Sequence, residues 1–392
     1  MALMKMFLSL VVIWTPATTA AIHYLLVGTF STNSIYTLSF DDETNQLTGL
    51  ANTSTPVGSS WLTLSKDKRT LYGTAWDVQP AAFVSYAVED EGLTLTHQAT
   101  VLAGGGCTGS AIFVLAAVDP PYTVCGNLYY RDAQCGTVFA TDPSTGALVD
   151  GGGGGTGIVQ NYTYDLPGSA VHGMTWSPAI ANVVYSADTG GNAIWTHSRD
   201  KGTGALTPVD KLVLPVDEQG GHCGPRHLAV HRQGLYMYVV CEASSKIIQL
   251  WLDSDEFMTP HATDNEWPLL RSGDDATDFW ADEVLMSASG DFMWASNRAH
   301  DSGRQGYVSV FALRSDGEVA AQMFLQETAT SGGFANAIAP SPFDDRVAAL
   351  TENVTGSVEI WRMADDNQSA SVVAHLDIPD GGGCCANVVW YS

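Results

Sequence analysis

The chain has 392 residues and a formal net charge of −25, yet only 15% of its residues are charged, while 39 are glycine and 10% are aromatic. This apolar, glycine-rich composition excludes a disordered chain and favours a β protein with many turns. The sequence contains no run of Lys and Arg, so we expect no nucleic-acid partner. The acidic charge favours solubility and repels anions at long range.

The N-terminus predicts export. A lysine precedes an apolar run from Met6 to Trp14, and small residues follow up to Ala21. This layout is typical of a secretory signal peptide over residues 1–21, cleaved near Ala20 or Ala21. The run is too short to span a bilayer. We therefore expect a secreted protein without a membrane span and with one domain over residues 22–392.

Sequons and cysteines agree with this compartment. Four N-glycosylation sequons begin at Asn52, Asn161, Asn353 and Asn367. An oxidising compartment favours disulfides, but spacing does not give the pairing, and an odd number leaves at least one cysteine unpaired within the chain. We expect structural disulfides and one buried thiol among Cys107, Cys125, Cys135, Cys223, Cys241, Cys384 and Cys385.

A strand pattern recurs along the chain. Each copy predicts an inner strand, a turn, a second strand, a loop and a third strand, and an outer fourth strand usually follows. In chain order the copies begin with SSWLTL at 59, SAIFVL at 110, SAVHGM at 169, GPRHLA at 224, ADEVLM at 281 and FANAIA at 334. A period of about fifty to sixty residues is typical of propeller blades.

The two chain ends complete a seventh copy. HYLLVGTF from His23 and SIYTLSF from Ser34 occupy second- and third-strand places, and the final ANVVWYS has the pattern of an inner strand. The sequence therefore predicts an all-β, seven-bladed β-propeller whose C-terminal strand completes the N-terminal blade. Such a ring has no free sheet edge between its first and last blades.

Polar residues are predicted to converge at one end of the central channel. The start of a first strand and the end of an antiparallel second strand lie at the same edge of a blade. These positions hold His172, Arg226, Asp282, Glu283, Asn336 and Asn387 at strand starts, and Asp188, Glu242, Asn297 and Arg298 at strand ends. Two arginines in an acid-rich pocket indicate anion recognition, because guanidinium pairs bidentately with carboxylates. The same residues are also compatible with a merely solvated channel.

At these residues the chain resembles the fungal carboxy-cis,cis-muconate cyclase family, also called 3-carboxymuconate lactonizing enzymes. The similar segments include SAVHGM, GPRHLAVH, MYVVCEA, ASNRAHDSGRQGY and the closing ANVVWY, and they extend over nearly all of residues 22–392. The resemblance implies a seven-bladed propeller, within a wider group of propeller lactonases similar to bacterial 6-phosphogluconolactonase. It implies catalytic roles for His172, Arg226, Glu242 and Arg298.

The chemistry that the resemblance implies is a lactonization without a metal or another cofactor. A substrate carboxylate adds across a conjugated double bond, and the neighbouring carbon takes a proton. Arg226 and Arg298 would hold carboxylates and stabilise the enolate-like charge, while either His172 or Glu242 would transfer the proton. Asn336 and Asp188 are further candidates for binding the small anionic substrate.

Other functions remain open. A sugar-lactone hydrolase of the 6-phosphogluconolactonase type would open a ring with water, and a non-catalytic secreted propeller would only bind a carbohydrate or a protein. A metal site at His222, Cys223, His227 and His231 is a weaker alternative, because the spacing fits no zinc signature. The sequence has no G-x-S-x-G elbow of a serine hydrolase.

Overall fold

The structure, a computed structural model, describes residues 21–104, 108–129, 134–150, 157–216, 218 and 220–392. Except for Ala21, the expected signal peptide lies outside the described residues, as does Cys107. The described residues form seven separate antiparallel sheets, which confirms the predicted seven-bladed propeller. Their helical structure is limited to two 3₁₀ turns, Asp90–Gly92 and Ala276–Asp278, and they contain no helix long and apolar enough to cross a membrane.

Each blade starts with its innermost strand and proceeds outwards. Blade 1 contains β29 (Val388–Trp390), β1 (Ile22–Val27), β2 (Ser34–Asp41) and β3 (Gln46–Ser54). Blade 2 contains β4 (Leu62–Leu64), β5 (Thr70–Ala75), β6 (Ala82–Glu89) and β7 (Thr94–Leu102). Blade 3 contains β8 (Ser110–Ala116), β9 (Thr123–Tyr129), β10 (Cys135–Ala140) and β11 (Ile158–Thr163). Blades 4 and 5 contain β12 (Val171–Trp176), β13 (Val183–Asp188), β14 (Ala193–Arg199) and β15 (Leu206–Val213); and β16 (Pro225–Val230), β17 (Tyr236–Cys241) and β18 (Lys246–Leu252), which pairs with both β19 (Pro260–His261) and β20 (Glu266–Pro268). Blades 6 and 7 contain β21 (Phe279–Met286), β22 (Phe292–Ala299), β23 (Tyr307–Leu313) and β24 (Val319–Glu327); and β25 (Ile338–Pro340), β26 (Val347–Glu352), β27 (Ser357–Met363) and β28 (Ala370–Asp377).

The hydrophobic core lies between neighbouring blades. One cluster, for example, joins Tyr238 and Val240 of blade 5 to Val284 and Phe311 of blade 6. The inner strands contact one another around the ring, including β25 with β29 and β29 with β4. Because a blade packs against a neighbour on each face, its middle strands are apolar on both faces, which explains the near-continuous apolar runs in the sequence.

The C-terminal strand closes the ring as predicted. It pairs with β1, where Leu25 stands opposite Trp390. The Asn387 side chain accepts a hydrogen bond from Leu62 N at 2.9 Å and so joins blade 1 to blade 2. On the other side, Trp390 Nε1 donates to Ala339 O of blade 7 at 2.9 Å. The last six residues therefore hold three blades together.

The cysteines match the expected pattern of structural disulfides and a buried thiol. Cys223 is bonded to Cys241, Cys384 is bonded to Cys385, and Cys135 is also disulfide-bonded. Among the described cysteines, Cys125 is free and buried. Burial raises the pKa of its thiol to about 12, so it is not a nucleophile at neutral pH.

Four inner strands carry a β-bulge at equivalent places. Pairing with the second strand shifts register after Ala111, Val171, Pro225 and Ala281. A bulge leaves a residue out of the ladder and re-aims its side chain. The displaced residues are Ile112, His172, Arg226 and, in a two-residue bulge, Asp282 with Glu283.

Candidate functional site

A cavity of about 310 Å³ lies beside the starts of the inner strands. Every bulge contributes to its lining, through Ile112, His172, Arg226 and Asp282. Glu242 and Arg298, at the ends of second strands, also line it. The four residues predicted to be catalytic are therefore brought together in one cavity.

Two arginines and two carboxylates form a charge cluster on one wall. Arg226 Nε lies 2.8 Å from Glu242 Oε2, and Arg226 Nη1 forms an ion pair with Asp282 Oδ1. Arg298 Nε lies 3.4 Å from the same Asp282 oxygen, and its Nη2 lies 3.9 Å from Glu242 Oε2. Each carboxylate thus bridges both guanidinium groups. Arg226 before β17 and Glu242 after it therefore form an ion pair at the open end of the β16–β17 hairpin.

The pKa shifts of Asp282 and Arg226 favour their charged forms. Burial alone would raise the pKa of Asp282, but Arg226 and Arg298 hold it below its ordinary value. Burial would lower the pKa of Arg226, but Asp282 and Glu242 outweigh that effect and raise it. The wall therefore pairs two arginines with two acidic side chains. Removal of one member leaves a buried charge uncompensated, which is strongly destabilising.

Local structure fixes the two arginines. The Cys223–Cys241 disulfide joins the segment before β16 to the end of β17 and so holds the hairpin mouth that carries Arg226. Arg298 lies with its guanidinium carbon 4.9 Å from the centre of the Trp280 ring, and its Nη1 donates to Gly333 O at 3.2 Å. Such cation–π and hydrogen-bond contacts orient the guanidinium plane towards the cavity.

A second polar chain runs from the cavity into the protein. His172 Nδ1 lies 2.8 Å from His227 Nε2, and His227 Nδ1 lies 2.7 Å from Glu283 Oε1. Burial and the nearby Arg226 lower the pKa of both histidines well below their ordinary value. Burial raises the pKa of Glu283 well above its ordinary value. These shifts favour the uncharged form of all three side chains.

Aromatic side chains surround the charged wall. Trp61, Tyr129 and Trp280 line the cavity. At its edge, the Phe30 ring lies 5.8 Å from Trp76 and 6.2 Å from Phe334. Phe334 is 70% exposed, unusual for so large an apolar side chain. We call Phe30, Trp76 and Phe334 the aromatic rim, and it suits an apolar part of a ligand.

Two of the predicted substrate-binding residues do not line the cavity. Asp188 is fully buried, and its carboxylate accepts from Gly191 N at 2.8 Å and Trp195 Nε1 at 2.9 Å. It therefore anchors the turn after β13, as Asp commonly does beside glycine-rich turns. Asn336 is also buried, and its backbone N–H donates to Asp282 Oδ2 at 2.6 Å. Its backbone therefore helps to position the Asp282 carboxylate.

The structure also joins His227 and Glu283 to His172, a contact that the strand positions did not predict. His227 was considered as a metal ligand, but both of its ring nitrogens are within hydrogen-bond distance of protein groups. Cys223, another member of that candidate metal site, is in a disulfide. The described residues contain no group of three or more His, Cys, Asp or Glu side chains that could hold a metal ion. The sequence signal for this arrangement is a second polar residue directly after the first at two equivalent strand starts. His227 follows Arg226, and Glu283 follows Asp282.

Comparison with known proteins identifies similar proteins over nearly the whole chain. The family model for lactonases with a seven-bladed β-propeller matches residues 24–113 and 163–382. A carboxy-cis,cis-muconate cyclase from Neurospora crassa is 33% identical over 94% of this chain and 99% of its own length. A muconate cycloisomerase 1 from Cutaneotrichosporon cutaneum is 30% identical over 90% of this chain and 94% of its own. Among solved structures, a periplasmic gluconolactonase of Pseudomonas aeruginosa shares the fold, with a TM-score of 0.73, 16% identity and coverage of 94% and 99%.

Proposed function

Because the chain belongs to the seven-bladed β-propeller lactonase family, we propose that it is a cycloisomerase that interconverts an unsaturated polycarboxylate and its lactone. The model substrate is 3-carboxy-cis,cis-muconate, as the names of its two fungal relatives suggest. One observation carries the proposal: two buried arginines face the same cavity as an uncharged histidine. Because unsaturated dicarboxylates of this type are products of aromatic-ring opening, a role in the breakdown of aromatic compounds is part of this proposal.

The reaction has a simple balance. A carboxylate oxygen of the substrate forms a C–O bond to one carbon of a conjugated double bond. The π electrons move towards the neighbouring carbon and its carboxylate, and that carbon then takes a proton. One carboxylate becomes an ester, so the forward reaction consumes one proton and the reverse reaction releases it.

The arginines are placed to stabilise the charge that builds up during addition. The contacts of Arg226 with the described residues occupy Nε and Nη1, which leaves Nη2 for a substrate carboxylate. Glu242 is the most exposed member of the charge cluster, with a side-chain exposure of 18% against 1% for Asp282. A substrate carboxylate can take its place beside Arg298 Nη2, where the Glu242 contact is long. A fixed cation beside the forming enolate lowers the barrier.

The aromatic walls suit the planar diene. Its π system can lie against Trp61 or Tyr129, while the carboxylates face the charge cluster. When a substrate fills the cavity, these walls would exclude water and so strengthen the electrostatic interactions around it.

We further propose that the protein is secreted and glycosylated. Asn52 and Asn161 are exposed, whereas Asn353 is partly buried and its amide donates to Cys384 O at 3.0 Å. We therefore expect glycans at Asn52 and Asn161 in a secreting eukaryotic host. Treatment with a peptide N-glycosidase followed by peptide mass spectrometry tests this. Secreted protein unmodified at both sites would contradict it.

A substrate panel tests the enzymatic function. The purified protein is mixed with 3-carboxymuconate, muconate, their lactones and a neutral sugar lactone, and the loss or gain of diene absorbance is followed beside acid release. We expect activity on the muconates or their lactones that survives a chelator. Activity on sugar lactones alone would make the protein a hydrolase, and a folded protein inert on the whole panel would favour a binding module.

A further inference from the structure

We propose that His172, His227 and Glu283 form a proton relay, in which His172 transfers the reaction proton and Glu283 stores it. The inference rests on the proposed function for the identity of the reaction, whereas the relay itself rests on geometry. The side chains form a continuous chain of contacts, with 2.8 Å between His172 Nδ1 and His227 Nε2 and 2.7 Å between His227 Nδ1 and Glu283 Oε1. The muconate-cyclase resemblance implies a role for the first of them only.

The relay is a consequence of the bulges in three successive blades. His172 lies on β12, His227 on β16 and Glu283 on β21. Arg226 and Asp282, which precede the last two, line the cavity. Their neighbours His227 and Glu283 therefore lie one layer deeper, behind the charge cluster.

Aromatic rings enclose the middle of the relay. The His227 ring makes T-shaped contacts with the rings of Trp61 and Phe113, with centroid distances of 4.7 and 5.5 Å. Tyr129 packs on His172 in the same way at 5.2 Å. These contacts keep bulk water away from His227. A proton on Glu283 therefore exchanges with the cavity through the two imidazoles.

Two protonation states of the relay differ by one proton. In the first, protonated Glu283 donates to His227 Nδ1, His227 Nε2–H donates to His172 Nδ1, and His172 Nε2–H faces the cavity. When the Nε2 proton passes to the substrate carbon, His172 Nδ1 takes the His227 proton and His227 Nδ1 takes the Glu283 proton. The second state then has a Glu283 carboxylate and a His172 Nε2 lone pair, ready to accept a proton in the reverse reaction.

This arrangement solves an electrostatic problem. Burial disfavours an imidazolium at His172, and Arg226 and Arg298 add to this effect, while a lone neutral imidazole that gave up its proton would become an imidazolate. In the relay both histidines stay neutral and only Glu283 changes charge. Arg226 and the Val284 N–H, 3.1 Å from Glu283 Oε1, stabilise the resulting carboxylate, and Asp282 opposes it. Water in the open cavity restores the proton through His172 after the product leaves.

Glu242 is a poor candidate for the same role. Its carboxylate is engaged by both guanidinium groups, at 2.8 Å from Arg226 Nε and 3.9 Å from Arg298 Nη2. A carboxylate paired in this way holds the arginines in place. The geometry therefore assigns proton transfer to His172.

The decisive variant is Glu283→Gln, which keeps the shape and a hydrogen-bond donor but cannot release a proton. We expect kcat to fall by about 100-fold or more, the usual range for a positioned general acid, with little change in KM. The matched control is Glu359→Gln, since Glu359 is a buried glutamate on β27 with a raised pKa and a hydrogen bond from Trp361 Nε1 at 2.9 Å. It should retain wild-type kinetics. A Glu283→Gln enzyme with wild-type kcat, or with a loss in KM alone, would overturn the relay.

A spectroscopic readout separates the relay from the choice of substrate. With ¹³C-labelled glutamate, the infrared band of a protonated carboxyl group should be present at pH 7 and vanish in Glu283→Gln. If Glu283→Gln instead removes the band of an ionised carboxylate, the proposal is wrong, whatever the activity. If this variant does not fold, the Glu359→Gln protein decides alone, because the protonated band must persist in it at pH 7. A muconate panel without turnover would refute the proposed function and leave this test intact.

Discussion

Glu242 Oε2 lies 2.8 Å from Arg226 Nε and 3.9 Å from Arg298 Nη2, so one carboxylate separates the two cations of the cavity. Asp282 makes the same bridge deeper in the protein. The charges of the cluster cancel before any ligand binds. An anionic substrate therefore has to compete with Glu242, and the two arginines are held apart at a fixed spacing until it does.

Replacement of Arg298 by alanine should weaken catalysis on the anionic substrate. We expect a loss of about 2–4 kcal/mol in transition-state stabilisation, the scale observed when a positioned oxyanion partner is removed. Both KM and kcat should change, because the carboxylate is charged before and during the addition. Steady-state kinetics give both values. Arg271→Ala is the control, since Arg271 is exposed and pairs with Glu327 at the surface, and equal kinetics for the two variants would contradict the assignment.

Replacement of Glu242 by glutamine separates its role from that of His172. The variant removes the carboxylate that competes with the substrate, so KM should fall several-fold while the pH dependence of kcat is kept. His172→Gln should lose most of kcat, because its ring transfers the proton. pH–rate profiles of both variants provide the measurement. Should Glu242→Gln abolish turnover and His172→Gln preserve it, Glu242 would be the proton-transfer group.

Deletion of residues 387–392 should destabilise the whole ring. The segment supplies β29, the Asn387 bridge to Leu62 and the Trp390 bond to Ala339. Trp390→Ala alone should lower the free energy of unfolding by about 3–5 kcal/mol, the usual effect of truncating a large core aromatic. Urea unfolding followed by fluorescence and circular dichroism measures this. Trp251→Ala is the control, since Trp251 is an exposed tryptophan of blade 5, and a deletion variant with an unchanged midpoint would show that closure contributes little.

The strand positions predicted several of the polar residues that line the cavity. Inner-strand starts and second-strand ends identified His172, Arg226, Glu242 and Arg298, and all four line one cavity. The pattern works because antiparallel pairing fixes which ends of the strands meet. The chain-end pairing could be predicted for a related reason, since an incomplete blade leaves only one place for the last strand.

The bulges explain what the strand pattern could not predict. A register shift of one residue moves a side chain to the other face, and no local sequence signal marks that shift. Alternation alone therefore does not show that Arg226 faces the cavity while His227 lies behind it. Asp188 has the position of a binding residue, but its carboxylate accepts the N–H groups of its own turn. The aromatic rim comes from loops whose course depends on the assembled ring.

The stability of the protein should depend on pH through Glu283. Its folded pKa is raised above the ordinary 4.5, so its contribution is complete below that value and is lost as pH rises towards the folded pKa. His172 and His227 act in the opposite direction, since their lowered pKa values reduce stability as pH falls below 6.5. Above pH 6.5 the histidines no longer contribute, and we expect Glu283 to lower stability as pH rises, with a slope of up to about 1.4 kcal/mol per pH unit.

Urea unfolding of the wild type and Glu283→Gln between pH 6.5 and pH 8 measures this slope. The variant has no group that releases a proton on unfolding at this position, so its free energy of unfolding should decline less steeply with pH than that of the wild type. Glu359→Gln is measured in the same way, because Glu359 is a buried glutamate with a raised pKa and its own contribution to the slope has to be known. Parallel curves for the wild type and Glu283→Gln would mean that Glu283 is already ionised in the folded protein.

Salt should accelerate the capture of an anionic substrate. The chain carries a formal net charge of −25, and the cavity wall adds no net positive charge to offset it at long range. Screening over about 10 Å at 0.1 M ionic strength weakens this repulsion more than it weakens short contacts inside the cavity. The value of kcat/KM for a muconate should therefore rise with ionic strength, in several salts alike, while kcat/KM for a neutral lactone should stay constant. A muconate rate that falls with salt would show that the local field of Arg226 and Arg298 extends beyond the cavity and dominates the approach of the substrate.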